Sequence, residues 1–216
     1  MKIAQQVLLI VLAILLVDQG LKIWLKLTMV MDDAIFIAPW FQLRFVENPG
    51  MAFSLELPGI YGKLLLTLFR VFAVSFIVYM IWKMIKEQKP KGLIWCTSMI
   101  LAGAIGNIID SMFYGVLFSD SYGRVAKFLP AEGGYAGFLQ GHVVDMLYFP
   151  IIQGRFPSWV PVWGGDFFTF FSPIFNVADA AITIGVFLIF IFNKQFFPTE
   201  TAPEVANTTE EPVVKG

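Results

Sequence analysis

Four apolar runs, each close to the ~20 residues that a bilayer core requires, dominate this chain, and three of them carry an aspartate inside. Asp18 lies in VLLIVLAILLVDQGLKIWL, Asp110 in MILAGAIGNIIDSMFYG and Asp179 in FNVADAAITIGVFLIFIF. A fourth aspartate, Asp145, sits in the oily loop GHVVDMLYFP just before the last run. Backbone in hydrocarbon must satisfy its own hydrogen bonds, so such runs fold as helices. Ionisable groups inside them are expensive and mark functional sites by default. Four carboxylates placed this way point to acid–base chemistry at or within a bilayer.

The composition fits that setting. Of 216 residues 57% are hydrophobic and 14% charged, against about 25% charged in a soluble domain. Net charge is −1 with no basic tract, so nucleic acid is not an expected partner. Cys96 is the only cysteine and His142 the only histidine. Neither has companions for a zinc site, an internal disulfide is impossible, and the paired histidines of a metalloprotease helix are missing. No metal and no cofactor are expected.

The spans are expected at about 7–27, 64–84, 93–114 and 173–192. The first carries Asp18 and Lys22 and is followed by no small-residue cleavage site, so it reads as a retained helix rather than a signal peptide. The connection WKMIKEQKPKG (82–92) holds four lysines against Glu87; basic short loops stay cytoplasmic. Both termini are then cytoplasmic, and the segments of about 28–63 and 115–172 lie on the outer face. There FQLRFVEN (41–48) reads as a short strand followed by an NPG turn. FPSWVPVWGGDFFTFF (156–171) has the aromatic content of a layer in the headgroup region. A single membrane-embedded unit is expected over 1–196, and the polar stretch 197–216 reads as a disordered cytoplasmic tail.

Depth ties the carboxylates together. At a rise of 1.5 Å per residue, Asp18 lies ~24 Å from Lys2, Asp110 ~28 Å from Lys91, Asp179 ~22 Å from Lys194, and Arg70 ~20 Å from Lys83. Three helices therefore bring a carboxylate to one layer in the outer half of the bilayer. Asp18 and Lys22 are spaced i, i+4; Asn107–Asp110 and Asn176–Asp179 are spaced i, i+3, so each pair shares a helix face. Gly103 and Gly106 offer a small-residue face for close helix approach. For Asp18–Lys22 a structural clasp is favoured over direct chemistry, because the ammonium keeps the carboxylate ionised. Arg70 reads as a clasp or a snorkelling side chain, and His142 as a hydrogen-bonding loop residue, since no serine or cysteine nucleophile motif accompanies it.

The motifs VDQGLKIWL, NPGMAFS, GNIID, GHVVD and FNVADAAITIG occur in that order. Together they resemble the bacterial lipoprotein signal peptidases, the type II signal peptidases that act as aspartyl proteases in the cytoplasmic (inner) membrane. The resemblance runs from about Asp18 to Gly185. It implies a polytopic α-helical membrane protein of four transmembrane helices with a small extracytoplasmic β-cradle and a peripheral helix. It implies catalytic roles for Asp145 and Asp179. It implies supporting or substrate-binding roles for Asp18, Lys22, Asn48, Gly50, Gly106, Asn107, Asp110, Asn176 and Ala178. The implied substrate is a diacylglyceryl-modified prolipoprotein, cut on the N-terminal side of its lipidated cysteine; membrane lipid is the other expected partner, and the chain is expected to act as a monomer.

Three departures stand out. Ser111 follows Asp110 where the family commonly has arginine, so either another arginine, Arg70 or Arg124, replaces that charge or the local charge network differs. The stretches from Asp110 to Asp145 and from Asp145 to Asn176 are longer than in the family. Met146 stands in place of phenylalanine, and Met51 in place of a small residue.

Two nearby carboxylates suit peptide hydrolysis, because like charges close together cannot both ionise cheaply. One takes a proton from water while its protonated partner polarises the scissile carbonyl and then protonates the leaving nitrogen. Two other readings of the same residues are a proton or cation relay in a transporter, and a scaffold whose charges only lock the bundle. The first predicts ion flux without a product peptide. The second leaves Asp145 and the Asn176–Asp179 pair without a purpose.

Overall fold

The computed structural model describes residues 1–49 and 60–198. Gly50 and Met51, and the tail from 199 onward, lie outside the described residues. The elements run α1 (Ile3–Thr28), β1 (Ala34–Ala38), β2 (Phe41–Asn48), α2 (Ile60–Lys86) and α3 (Lys91–Ile109). A π-helical turn over Asp110–Tyr114 and the short α4 (Gly115–Leu117) continue α3. Then follow β3 (Val143–Tyr148), β4 (Ile152–Arg155), β5 (Phe167–Phe170), β6 (Ile174–Phe175), α5 (Val177–Ile191) and α6 (Asn193–Phe196).

Among the described residues three helices, Ile3–Thr28, Gly62–Lys86 and Lys91–Leu117, are long and apolar enough to cross a membrane. The fourth expected span differs. Ile174 and Phe175, assigned to it from hydropathy, pair as strand β6, and the helix itself is Val177–Ile191, 15 residues. That is ~22 Å of helix against a ~30 Å hydrocarbon core. The helix starts late because Asn176 caps it: the side chain accepts the backbone N–H of Asp179 at 2.8 Å, which satisfies an orphan donor of the first turn. The chain is thus a membrane protein of three to four apolar helices that carries the expected small antiparallel sheet, here with a second two-stranded one. Among the described residues no separate peripheral helix is present.

The helices pack closely where the sequence is small. A Cβ on Gly103 would collide with the carbonyl oxygen of Ala178, and one on Gly106 would lie 2.8 Å from an oxygen of Asp18 and 3.1 Å from the Cβ of Ala178. The glycine face of α3 therefore receives the start of α5 and the Asp18 side chain of α1.

The larger sheet has the order β1-β2-β3-β6, all antiparallel. Its inner face sends Phe45, Val144 and Met146 into a cluster with Leu25 and Met29 of α1, Tyr114, Phe118 and Ala126. Each such buried side chain contributes about 1.5–3 kcal/mol, and the cluster seats the sheet on the C-terminal end of α1 and the turn that follows α3. The long stretch after α4 is anchored rather than loose. Ala126 N–H donates to Lys26 O at 3.2 Å, Tyr135 N–H to Phe118 O at 3.0 Å, and Gly141 N–H to Ser111 O at 2.8 Å. It loops out across α1 and returns to the end of α3, where β3 begins. The second long stretch is the β4–β5 hairpin, whose apolar residues Trp159, Val162, Trp163 and Phe170 are exposed.

Candidate active site

Period-two alternation sets which side chains of the sheet face the helices' polar layer. On β3, Val144 and Met146 are buried in the inner cluster, so Asp145 points the other way. It pairs with Val46 in the ladder. Asn48, on the same face of β2, donates to Asp145 Oδ2 at 3.3 Å. Asn176 donates to the other oxygen, Oδ1, at 2.7 Å.

Asn176 and Asn107 carry the contact onward to Asp179. The Asn176 amide also lies 3.1 Å from Asn107 Oδ1. The Asn107 amide donates to Asp179 Oδ1 at 2.7 Å, and Asn176 Oδ1 receives the Asp179 backbone N–H. Two asparagines thus bridge the two carboxyl groups. Asp145 is 5% exposed, whereas Asp179 is only partly buried. Burial pushes the Asp145 carboxyl up to about 7, and the nearby Asp179 charge pushes it in the same direction against the donors Asn48 and Asn176 and the charge of Lys22. At neutral pH this carboxyl is poised between its two forms.

Beneath this pair lies a dry ionic cluster. Lys22 is fully buried between Asp18 Oδ2 at 2.9 Å and Asp110 Oδ2 at 2.8 Å, all three side chains at 0% exposure. Its ammonium also donates to Asn107 Oδ1 at 3.1 Å. Both carboxylates also hold backbone: Asp18 Oδ1 accepts Ala178 N–H at 2.9 Å, and Asp110 Oδ2 accepts Val144 N–H at 3.1 Å. The cluster therefore ties α1 to the start of α5, and α3 to β3, next to each aspartate of the bridged pair. Gly106 matters by its lack of a side chain, which lets Asp18 through.

Gln19 was not anticipated from the sequence. Its amide donates to Asp18 Oδ2 at 3.1 Å, Gly106 O at 3.2 Å and Asp110 Oδ1 at 2.9 Å, while its carbonyl accepts Tyr114 O–H at 3.1 Å. A glutamine beside an aspartate inside an apolar span is the signal that could have found it, since such a group must find partners. Of the two arginines considered as substitutes at Ser111, Arg70 donates to Ser111 Oγ at 2.9 Å, and its charge acts on Asp179, Asp110 and Asp145. Arg124 instead faces Asp120 at the surface, 3.7 Å away. His142 gives its backbone N–H to Tyr135 O–H at 2.6 Å and turns its ring toward Glu47, with Nδ1 3.6 Å from the carboxylate. Among the described residues no group of three or more metal-ligating side chains comes together.

The chemistry such an arrangement can perform is activation of a water between two coupled carboxyls, and known proteins share its frame. Residues 10–194 match the family model described as signal peptidase (SPase) II. A Porphyromonas gingivalis protein named lipoprotein signal peptidase is 51% identical over 183 residues, covering 84% of this chain and 80% of that protein. One of the same name from Amoebophilus asiaticus is 41% identical, covering 83% of this chain and 74% of that protein. A solved bacterial membrane enzyme superposes with a TM-score of 0.58 at 26% identity, over 90% of this chain and 95% of that one. A second solved bacterial membrane enzyme, at 21% identity and a TM-score of 0.57 over 93% and 95%, has the same fold. The chain belongs to the signal peptidase II family.

Proposed function

We propose that Asp145 and Asp179 are the catalytic dyad of an aspartic endopeptidase that removes signal peptides from prolipoproteins. The observation that carries this reading is the double asparagine bridge, which couples a buried carboxyl at the sheet with a partly buried one at the start of α5. The dyad holds one proton. Burial and the nearby Asp179 charge both raise the proton affinity of the Asp145 carboxyl. The pair titrates as a unit. The charged member takes a proton from water, the water oxygen adds to the scissile carbonyl, and the protonated member passes its proton to the leaving nitrogen. No covalent intermediate is involved.

In this reading α5 completes a fourth crossing, with β6 and the base of the β4–β5 hairpin making up its missing length in the outer leaflet. Both termini are cytoplasmic, the membrane is the bacterial cytoplasmic one, and the dyad lies near its outer surface. Asp18, Lys22, Asp110 and Gln19 hold the two elements that carry the dyad, and Asn48, Asn107, Asn176 and Ala178 line it. Gly50 belongs to the same lining on the strength of the motif alone. The aromatic hairpin rests in the headgroup layer and walls off the diacylglyceryl group of a substrate cut just before its lipidated cysteine. The enzyme acts as a monomer, without a cofactor.

The test is incubation of the purified protein in lipid with lipidated and unlipidated precursor, followed by mass analysis. The lipidated precursor should yield the released signal peptide, and Asp145→Asn or Asp179→Asn should each abolish it while the protein stays folded. Full product from either variant would remove that residue from the dyad.

A further inference from the structure

A second buried ion pair lies outside the dyad and its supporting cluster. Lys26, one turn beyond Lys22 on α1, sits 2.6 Å from Glu47 Oε1; the side chains are 0% and 5% exposed. The ammonium also donates to Ser121 Oγ at 3.1 Å and lies over the rings of Tyr135 at 5.0 Å and Phe118 at 5.3 Å. A buried pair of this kind contributes little net stability, and its best-attested use is to fix register. Here the register has to be set again beyond an irregularity, with Phe45 buried on the same inner face as Glu47. The β2–β3 ladder is interrupted between Leu43 and Val46, and only Val46↔Asp145, Glu47↔Val144 and Asn48↔Val143 follow the interruption. A slip of one residue would turn every side chain of that short stretch to the opposite face. Glu47 facing inward to Lys26 is therefore what turns its neighbour Asn48 outward onto Asp145.

We propose that the Lys26–Glu47 pair is a positioning element that locks β2 on β3 and holds the Asn48 amide on Asp145. The proposal rests on the reading of Asp145 as catalytic. Its effect on chemistry is electrostatic. The groups facing Asp145 are Asn48 from β2, Asn176 and Asp179 at the start of α5, Lys22 from α1 and Arg70 from α2. Asn48 favours the ionised form, so losing it strengthens proton binding by the dyad. The dyad fails when both carboxyls ionise, so the alkaline limb of the rate profile then moves to higher pH.

The experiment compares Glu47→Asp and Glu47→Gln with the parent, in lipid. Glu47→Asp keeps the charge pair but shortens the reach, so it folds and draws β2 off its position. Expected for it are a kcat at least tenfold lower with KM within twofold, and an alkaline limb moved up by half a pH unit or more. Glu47→Gln should show the same direction, and hydrogen exchange of amides in 43–48 and 143–148 should quicken at least tenfold while that of α1 is unchanged. A parental kcat and limb in Glu47→Asp, or a raised KM at unchanged kcat, overturns the proposal. So does unchanged exchange in Glu47→Gln, a readout that needs no activity. Failure of the parent to cleave any precursor would count against the peptidase reading instead.

Discussion

Asp110 accepts the backbone N–H of Val144 at 3.1 Å, so the end of the third helix grips the strand residue that precedes Asp145. The same carboxylate oxygen binds Lys22 at 2.8 Å. A helix carboxylate thus serves two purposes with one atom: it neutralises a buried ammonium and fixes the position of strand β3 against the end of α3. The π-helical turn begins at Asp110, and such wide turns are used to re-aim side chains at functional sites.

Lys22→Met should be among the most damaging single changes. It would leave the carboxylates of Asp18 and Asp110 buried without a cation, a loss of about 3–5 kcal/mol when one partner of a buried pair is removed. Thermal unfolding in detergent should show a large fall in Tm, with little folded protein recovered. A parental Tm would show that the cluster contributes nothing to the fold.

Asp145→Asn should stabilise the protein at alkaline pH while destroying cleavage. The folded carboxyl binds its proton up to about 7, against an ordinary value of 3.8. A raised folded value means stability present at low pH that is lost as pH rises through about 7. At pH 8 the parent bears the cost of a buried charge, of order 4 kcal/mol at most; at pH 4 it does not. The variant should therefore out-melt the parent at pH 8 and match it near pH 4. The opposite ordering would contradict the raised proton affinity.

Asn176→Ala removes a cap and a bridge together. Loss of the cap on α5 should cost about 1 kcal/mol. Cleavage should fall further than that loss of stability explains, by about a hundredfold, an effect of ~2.7 kcal/mol on the barrier. Steady-state rates corrected for the folded fraction would check it, and a corrected rate within threefold of the parent would reduce Asn176 to a capping residue.

Arg70 and Ser111 offer a swap. Arg70→Met should slow cleavage by removing the charge that reaches Asp179, Asp110 and Asp145. Ser111→Arg alone should crowd a second cation against Arg70, and Arg70→Met with Ser111→Arg should recover most of the rate. A double variant no better than Arg70→Met alone would mean that the two positions do not share one role.

Glu47 ties stability to pH from the other side. Its carboxyl is held down to about 2 by His142 and Lys26, despite burial. A lowered folded value gives stability present above the ordinary value of 4.5 and lost as pH falls through about 2. Glu47→Gln should accordingly flatten the acid unfolding curve of the sheet layer between these limits, followed by tryptophan fluorescence. An acid transition identical to the parent's would show that the pair carries no linked protons.

What the sequence by itself determined was the membrane setting, the three long helices, strand 41–48 and the identity of the polar layer. These rest on local rules: run length, the positive loop and the i, i+3 spacing of Asn107–Asp110 and Asn176–Asp179 act within one segment. The family motifs added the pairing of Asp145 with Asp179 as an expectation. Tertiary structure alone decided the partners. Asp18 and Asp110 converge on one lysine, Gln19 joins them, Arg70 rather than Arg124 reaches Ser111, and Lys26 finds Glu47. It also moved the start of the last helix to Val177, because the hydrogen-bonding demand of β6 and the Asn176 cap outweighed a hydropathy that cannot tell an apolar strand from an apolar helix. In a dry interior each charge must meet a partner brought from a distant part of the chain, and no local pattern specifies which one.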